Sequence, residues 1–399
     1  MVKVAILGYG TVGSGVYEII RDNSFDYEAL NPIGVKYILD IRDFPDHPEK
    51  ELFTKNFDDI LNDDEVYCVV EAMGGLHPAY EFTKALLSKG VNVVTSNKEL
   101  VATYGPELLK IAKDMNVNYL FEASVGGGIP IIKPMCSSLM SNKIQKIIGI
   151  LNGTTNFILT EMIEKDKDFQ DALQDAQSKG YAERDPSADI EGHDACRKLA
   201  ILSSLAWSEY VNYEDIETEG ITKITLDDVK YAEKFGYVIK LIGYAEKNDK
   251  VFARVAPMLV SKKYPLSGVC GVFNAIVVKG NYLGTSMFYG RGAGKFPTAS
   301  AVVADVIESV RHIGAKKQYL EWNPAKEDYM MSCLDASCKY LVRSGASKEQ
   351  IESLFGNVEF EDNVKSGETG FITETMTEKE FLEKARMINA TSFIRVLEA

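Results

Sequence analysis

The chain begins with a short apolar run that ends in three spaced glycines, and this feature constrains the fold more than any other. Residues 2–7 are mostly β-branched or aliphatic, and the motif GYGTVG follows directly at 8–13. A strand, a G-x-G-x-x-G turn and a helix form the dinucleotide-binding element of doubly wound parallel sheets. Gly8 permits the tight turn, Gly10 lets a pyrophosphate approach the backbone, and Gly13 allows close packing of the helix on the strand. We therefore expect a dinucleotide-binding domain.

The first third of the chain supports this expectation, because it alternates apolar runs with amphipathic stretches. We expect strands at 2–7, 35–39, 66–70, 91–95 and 118–121, and helices at 11–21, 79–89 and 100–115. This βαβ alternation predicts an α/β fold with a Rossmann-type doubly wound nucleotide domain over residues 1–130. A helical stretch after Pro297 is expected to return to that domain and complete it over 297–315.

Two further units are expected downstream. Residues 131–296 mix strand patterns at 143–151, 237–245, 251–260 and 275–279 with helical patterns at 156–165 and 195–206. This mixture indicates a second, mixed α/β domain. Residues 320–399 show the order βαββαβ, which predicts a small ferredoxin-like domain.

Composition and charge narrow the classes of function. The 399 residues carry a formal net charge of −14 without a local Lys/Arg block, so neither nucleic acid nor an anionic membrane is an expected partner. No apolar run approaches the roughly 18 residues of a membrane span, and no export signal is visible, which predicts a cytoplasmic protein. Six scattered cysteines and four separated histidines indicate free thiols and no transition-metal site. A small-molecule substrate is therefore the expected binding partner.

Cofactor preference is expected to depend on the end of the second strand. There, Asp40 can accept a hydrogen bond from the ribose 2′-hydroxyl of NAD, whereas Arg42 can pair with the 2′-phosphate of NADP. Arg42 slightly favours NADP, and an ordinary solvated ion pair is the alternative. Ser96 and Lys98 follow the fourth strand at the carboxyl edge of the sheet, where ligands bind, although a lysine before a helix is more often a solvated charge.

Two glycine-rich loops carry further expectations. In EASVGGGIP at 122–130, consecutive glycines leave carbonyl oxygens accessible and Glu122 adds charge, which suits a monovalent cation. A tight interdomain hinge is the alternative that the spacing favours. The turn GRGAGKFP at 290–297 either covers the cofactor or simply joins two elements.

Acids and bases are concentrated between residues 180 and 199. Asp194 and Lys198 lie four residues apart at the start of a predicted helix and therefore share one face. A surface ion pair worth about 0.5 kcal/mol is one interpretation. The apolar remainder of the helix favours burial instead, which lowers the pKa of a lysine and suits a general acid/base acting on an alcohol that becomes an aldehyde.

Four of these segments together resemble the homoserine dehydrogenase family. They are LNGTTNFIL at 151–159, the loop at 122–130, GYAERDPSADIEGHDACRK at 180–198 and GAGKFPTASAVVAD at 292–305. The resemblance covers residues 2–315. It implies reversible, NAD(P)-dependent reduction of L-aspartate 4-semialdehyde to L-homoserine in threonine and methionine biosynthesis, by direct hydride transfer.

The resemblance also implies roles at matching positions. Lys198 would donate and accept the proton while Asp194 orients it, and Glu183 would hold the substrate amino group with Asp189 and Lys98 nearby. The cofactor would contact Gly8, Gly10, Thr11, Val12, Gly13, Lys98, Gly292 and Thr298. Na⁺ or K⁺ would bind, mostly through carbonyls, at Glu122, Val125, Gly127 and Ile129.

Beyond residue 320 the chain is similar to a short ACT domain, which implies an amino-acid effector such as threonine. The segment SGAS at 344–347 departs from that pattern, which has an Asp-x-Pro-Gly turn, so dimerisation alone is the alternative. Sheet edges in the second and third units favour a homodimer or homotetramer. With no kinase segment ahead of it, the enzyme is expected to be monofunctional.

Two other functions compete with this interpretation. A phosphorylating semialdehyde dehydrogenase needs a cysteine nucleophile and a histidine base, for which Cys136 and Cys196 are the nearest candidates. A non-catalytic dinucleotide sensor would need no acid/base pair, so the proximity of Glu183, Asp194 and Lys198 in sequence counts against it.

Overall fold

The N-terminal part of the chain forms a six-stranded, fully parallel sheet. The computed structural model describes residues 1–22, 32–315, 317, 319–362 and 364–398. The strands are β1 (Val2–Leu7), β2 (Ile33–Leu39), β3 (Phe53–Thr54), β4 (Val66–Glu71), β5 (Asn92–Thr95) and β6 (Tyr119–Leu120). Their order, β3-β2-β1-β4-β5-β6, is that of a Rossmann-type sheet, so this prediction is confirmed.

Helices cover both faces of this sheet. They are α1 (Thr11–Asp22), α2 (Asp58–Leu61), α3 (Ala79–Ser88), α4 (Lys98–Asp114) and, from much later in the chain, α11 (Lys295–Arg311). Helices α1 and α11 share one core with the sheet, and α3 and α4 lie in the other. A Cβ on Gly15 of α1 would lie 2.9 Å from the Ala299 Cβ, so the glycine allows α11 to pack directly on α1.

The second unit is built on an antiparallel sheet. Its strands are β7 (Ile144–Ile150), β8 (Glu217–Thr218), β9 (Tyr237–Lys247), β10 (Val251–Ser261), β11 (Phe273–Gly280) and β12 (Gly284–Arg291). Its helices are α5 (Ile132–Cys136), α6 (Gly153–Lys165), α7 (Phe169–Ser178), α8 (Ser187–Ile190), α9 (His193–Trp207) and α10 (Leu226–Lys234). The order is β12-β11-β7-β9-β10, with β8 added in parallel to β10. Helices α6 and α9 pack on one face, so the mixed α/β prediction is confirmed.

The C-terminal unit contains elements in the order βαββαβ together with two additional short strands, Ser337–Cys338 and Met376–Thr377. It consists of β13 (Ser337–Cys338), β14 (Tyr340–Ser344), α12 (Lys348–Phe355), β15 (Glu359–Glu361), β16 (Thr369–Ile372), β17 (Met376–Thr377), α13 (Glu378–Met387) and β18 (Ser392–Val396). Its main sheet, β18-β14-β16-β15, is not separate, because β18 also pairs in parallel with β10. The two sheets are therefore continuous, and each covers an edge that the other would leave unpaired.

Candidate active site

The glycine turn after β1 has the geometry that dinucleotide binding requires. Gly8 has a φ of +93°, and a Cβ there would lie 2.9 Å from the Ala72 carbonyl oxygen. A Cβ on Gly13 would overlap the Gly8 carbonyl oxygen, whereas a Cβ on Gly10 would meet nothing within 4 Å. The first and third glycines thus allow close packing within the protein, and the second leaves open space before the N-terminus of α1, where backbone N–H groups attract a pyrophosphate.

Asp40 and Arg42 form a tight pair beside this turn. Arg42 donates from Nε to Asp40 Oδ1 at 2.9 Å and from Nη2 to Asp40 Oδ2 at 2.8 Å, and the Tyr9 amide also donates to Oδ2. Arg42 hydrogen bonds hold the pKa of the Asp40 carboxyl well below its usual range. The Asp40 side chain is 7% exposed and that of Arg42 is 57% exposed. The carboxylate is therefore engaged, while the guanidinium faces solvent.

Lys98 is placed by a network at the carboxyl ends of β4 and β5. Asn97 caps α4 by accepting a hydrogen bond from the Leu100 amide, and it donates to the Gly75 carbonyl at 2.6 Å. Thr95 donates to the buried Glu71 carboxylate at 2.6 Å and accepts from the Asn97 amide. This network fixes the first residue of α4, and Lys98 Nζ lies 2.6 Å from Asp194 Oδ1. Lys98 is thus paired with a buried carboxylate, although 41% of its own side chain is exposed.

Asp194 lies between two lysines. Lys198 Nζ lies 2.7 Å from Asp194 Oδ2 and also donates to the Leu151 carbonyl at 2.9 Å. The side chains of Asp194 and Lys198 are 4% and 10% exposed. The interpretation of Asp194 and Lys198 as a surface ion pair is therefore wrong: the apolar packing of α9 buries both groups.

Burial and charge shift the titration of these groups in different directions. Burial lowers the pKa of Lys198; Asp194 opposes this effect and Lys98 adds to it. Burial alone would raise the pKa of Asp194, but the two lysines outweigh it and hold that pKa below its ordinary value. Asp194 raises the pKa of Lys98. The cluster therefore combines a fixed carboxylate with one amine that releases its proton more readily than a free lysine.

Asn152 joins two acids of the site, although the sequence analysis assigned it no role. Its Nδ2 donates to Asp189 Oδ1 at 2.7 Å and to Asp194 Oδ2 at 2.9 Å. Its Oδ1 caps α6 by accepting from the Thr155 amide. Burial raises the pKa of Asp189, and the Asp194 charge adds to this effect. The available signal was an Asn at a helix N-cap, which usually indicates capping alone. Glu71, the last residue of β4, was also assigned no role by the sequence analysis.

Glu183 does not join the cluster. It lies in an exposed turn between α7 and α8, and its main-chain carbonyl accepts a hydrogen bond from Gln177 Nε2 at 3.1 Å. Within the described residues its carboxylate has no hydrogen-bond or ion-pair partner. The expected proximity of Glu183 to Asp194 and Lys198 is therefore not seen as a contact.

Ser96 is half-buried, and its amide donates to the Glu71 carbonyl.

The two glycine-rich loops pack against each other. The Gly128 amide donates to the Arg291 carbonyl at 3.1 Å, and a Cβ on Gly127 would overlap the Gly292 carbonyl oxygen. Gly292 leads into α11, where Thr298 is buried in the first turn. This close approach is typical of the alternative function of the loop at 122–130, a tight interdomain hinge. The two segments that connect the first unit to the second unit meet here.

The Glu122 carboxylate is engaged by backbone amides. Its carboxylate accepts the amides of Ile131 at 2.6 Å, Ile132 at 2.8 Å and Lys133 at 2.6 Å, at the start of α5. The carbonyl oxygens of Val125, Gly127 and Ile129 remain available: in the part of the chain that the structure describes, no donor reaches them. No group of three or more His, Cys, Asp or Glu side chains is arranged to hold a metal among those residues.

Comparison with known proteins decides the family. The family model for the NAD-binding domain of homoserine dehydrogenase matches residues 8–122, and the homoserine dehydrogenase model matches residues 130–307. The homoserine dehydrogenase of Synechocystis sp. is 45% identical over 342 residues, which are 83% of this chain and 77% of that protein. The chain belongs to the homoserine dehydrogenase family. It is thus an NAD(P)-dependent oxidoreductase of the family that the sequence motifs indicated.

Solved homoserine dehydrogenases have the same fold. The enzyme from Thiobacillus denitrificans superimposes with a TM-score of 0.90 at 34% identity, covering 100% of this chain and 98% of that one. A mutant hyperthermophilic archaeal homoserine dehydrogenase in complex with NADPH superimposes with a TM-score of 0.68 at 32% identity, covering 78% of this chain and 98% of that one.

The thiols also fit homoserine dehydrogenase chemistry better than a phosphorylating dehydrogenase. Burial raises the pKa of Cys136 to about 12, and it raises that of Cys196, whose thiol donates to the Tyr213 carbonyl at 3.2 Å. His193 contacts Glu191 rather than Cys196. A nucleophilic cysteine needs a lowered pKa and a base, and neither candidate has them.

In the described residues, no helix is long and apolar enough to cross a membrane.

Proposed function

We propose that the chain reduces L-aspartate 4-semialdehyde to L-homoserine, reversibly and with NADPH, and that Lys198 is the general acid/base. The observation that carries this proposal is the Lys198–Asp194–Lys98 cluster at the carboxyl edge of the parallel sheet, in which Asp194 and Lys198 are buried. Ligands of open α/β sheets bind at that edge. The reaction needs a proton donor there, beside a dinucleotide site.

The residues of the chain account for the proton, and the nicotinamide supplies the hydride. As the substrate carbonyl carbon is reduced, Lys198 donates a proton to the forming alkoxide and becomes a neutral amine. Asp194 and the Leu151 carbonyl hold the Lys198 nitrogen in place, and Lys98 compensates the remaining charge of Asp194. In the oxidative direction, the neutral Lys198 accepts the proton of the hydroxyl group. General acid/base catalysis of this kind contributes about 10² to 10⁴ in rate.

Asp189 and Glu183 are the proposed contacts for the substrate amino group. Asp189 is held by Asn152 within the cluster, whereas the Glu183 carboxylate is exposed and unpaired within the described residues. Each carboxylate can accept hydrogen bonds from an ammonium group. This arrangement would select an amino-acid aldehyde over a simple one.

The cofactor is proposed to be NADP rather than NAD. The Gly8–Gly13 turn, Thr11 and Val12 would hold the pyrophosphate, and Ser96, Lys98, Gly292 and Thr298 would lie near the nicotinamide half. Asp40 cannot offer a free carboxylate to a ribose hydroxyl, because Arg42 and the Tyr9 amide occupy it, while Arg42 is presented for a 2′-phosphate. The NADPH complex of the archaeal relative is consistent with this choice.

A monovalent cation, Na⁺ or K⁺, is proposed for the loop at 122–130. The carbonyl oxygens of Val125, Gly127 and Ile129 are hard ligands without donors among the described residues, and Glu122 would contribute through its carbonyl. Such an ion would stiffen the hinge between the first two units.

The assembly is proposed to be a homodimer, or a homotetramer built from it, in the cytoplasm. Strand β12 forms a sheet edge with exposed Met287 and Tyr289, and the preceding turn exposes Tyr282 and Leu283. An apolar edge strand of this kind is covered by pairing with a second copy. The C-terminal unit is proposed as an ACT-like domain that binds an amino acid such as threonine.

Cofactor absorbance tests the proposed reaction. Purified protein is mixed with L-aspartate 4-semialdehyde and NADPH or NADH, without phosphate, and succinic semialdehyde serves as the control that lacks the amino group. We expect oxidation of NADPH with the amino-acid aldehyde and much slower oxidation with the control. Absence of turnover with either cofactor would contradict the proposed reaction.

A further inference from the structure

The C-terminal unit is joined to the second unit by two separate clusters of buried charge. In the first, Arg343 of β14 binds Asp228 of α10 at 2.8 Å and Glu368 at 2.6 Å. In the second, Glu378 at the start of α13 accepts from Arg254 of β10 and Arg395 of β18. The two clusters have similar chemistry, but they contact different parts of the second unit.

The cluster around Glu378 extends to the β8 segment. Arg395 Nη1 lies 2.8 Å from Glu219 Oε2, and Arg254 Nη2 lies 3.0 Å from Glu217 Oε2. Glu217 and Glu219 flank Thr218 in the chain, and Glu378 links the two arginines that bind them. The C-terminal unit therefore holds Glu219 directly, through Arg395, and contacts Glu217 only indirectly, through the Glu378–Arg254 pair.

The segment at 217–221 supports the N-terminus of the helix that carries Asp194 and Lys198. The Glu219 amide donates to the Val255 carbonyl at 2.8 Å, and the Ile221 amide donates to the Ile190 carbonyl at 2.8 Å. Gly192, the N-cap of α9, has a φ of +88°, and a Cβ there would lie 3.0 Å from Thr218 Cγ2. Asp194 follows two residues later, in the first turn.

From this arrangement we infer that Glu219 and Arg395 are positioning residues for proton transfer. Arg395 of the C-terminal unit holds the Glu219 side chain. The neighbouring Thr218 and the Ile221–Ile190 hydrogen bond place the same segment against the turn at Gly192, from which α9 carries Asp194 to Lys198. The Glu219–Arg395 pair is partly exposed and contributes little net stability, but it constrains the position of the Glu219 side chain. The inference rests on the proposed function, since Asp194 and Lys198 are the groups being positioned.

The matched test compares Glu219→Gln with Glu368→Gln in the full-length protein. Glu219 is 37% exposed, so the amide can be accommodated without a buried vacancy. We expect Glu219→Gln to lower kcat for reduction by about tenfold or more, because small displacements at a reacting centre are costly. The KM for NADPH should stay the same, and the alkaline limb of kcat should move to lower pH, because a looser Asp194 raises the Lys198 pKa less. Glu368→Gln should keep the kcat and pH profile of the wild type.

Amide hydrogen exchange adds a readout that needs no substrate. Glu219→Gln should speed exchange at the start of α9, and Glu368→Gln should not. Equal behaviour of the two variants in kcat, pH profile and exchange, or a wild-type response of Glu219→Gln, would overturn the inference. An inactive wild type would contradict the proposed function instead, while the exchange comparison would still test the positioning.

Discussion

Asp194 Oδ2 lies 2.7 Å from Lys198 Nζ, one helical turn further along α9, in a position from which solvent is nearly excluded. The other oxygen of Asp194 lies 2.6 Å from Lys98 Nζ. One buried carboxylate therefore controls two amines of different environment, and the pH dependence of catalysis should follow from that arrangement.

Substitutions of Asp194 and of Lys98 should move the pH profile in opposite directions. Reduction needs protonated Lys198, so kcat falls as pH rises through the Lys198 pKa, and oxidation shows the reverse dependence. Asp194→Asn removes a charge that raises that pKa and should move the alkaline limb of reduction to lower pH. Lys98→Met removes a charge that lowers it and should move the limb to higher pH. Initial rates at saturating NADPH from pH 6 to 11 measure both shifts, and limbs that coincide with the wild type would exclude Lys198 as the titrating group.

Arg42→Ala should reverse the cofactor preference. Loss of the guanidinium removes the partner of a 2′-phosphate and frees Asp40 for a ribose hydroxyl. Because a hydrogen bond to a charged group is worth about 1.5–3 kcal/mol, the KM for NADPH should rise by about tenfold or more. The KM for NADH should fall or stay constant, which serves as the internal control. An equal rise in both KM values would show that Arg42 contributes to the fold of the turn rather than to discrimination.

Substitution of Gly10 and of Gly13 in the turn should have different effects on stability and on NADPH binding. Gly13→Ala places a methyl group on the Gly8 carbonyl and should lower stability by about 1–3 kcal/mol, as overpacking does. The added methyl group of Gly10→Ala meets no protein atom within 4 Å, so the thermal midpoint of this variant should match that of the wild type. The same methyl group would occupy the space proposed for the pyrophosphate and should weaken NADPH binding. Thermal unfolding and fluorescence titration with NADPH separate the two effects. Tight NADPH binding by Gly10→Ala would contradict the placement of the pyrophosphate.

Local sequence patterns predicted much of the fold and part of the site. The spacing of Asp194 and Lys198 placed both on one face, and the apolar residues after them indicated burial. Strand β12 was missed because GTSMFYGR has glycine near both ends and no regular alternation of polar and apolar residues. Helix α11 begins at Lys295, ahead of the predicted start at Pro297. The local sequence therefore gives only a weak signal for strand β12 and for the first residue of α11.

The remaining features depend on contacts between distant segments. The approach of Lys98 to Asp194, the bridge that Asn152 makes between Asp189 and Asp194, and the pairing of β18 with β10 join residues from different elements. No periodicity in a single sequence encodes such pairings. Glu122 is a further example: its motif gave no sign that three backbone amides at the start of α5 would donate to its carboxylate.

The most direct test of the central claim compares Lys198→Met with Lys240→Met. Both lysines are buried with a pKa lowered by desolvation, but Lys240 lies in the second unit and donates to the Val269 carbonyl and Asn156, away from the carboxylate cluster. With L-aspartate 4-semialdehyde and NADPH, Lys198→Met should lose about a hundredfold or more in kcat while remaining folded, and Lys240→Met should lose stability rather than chemistry. A folded Lys198→Met variant that kept the kcat of the wild type would contradict the assignment of Lys198 as the proton donor.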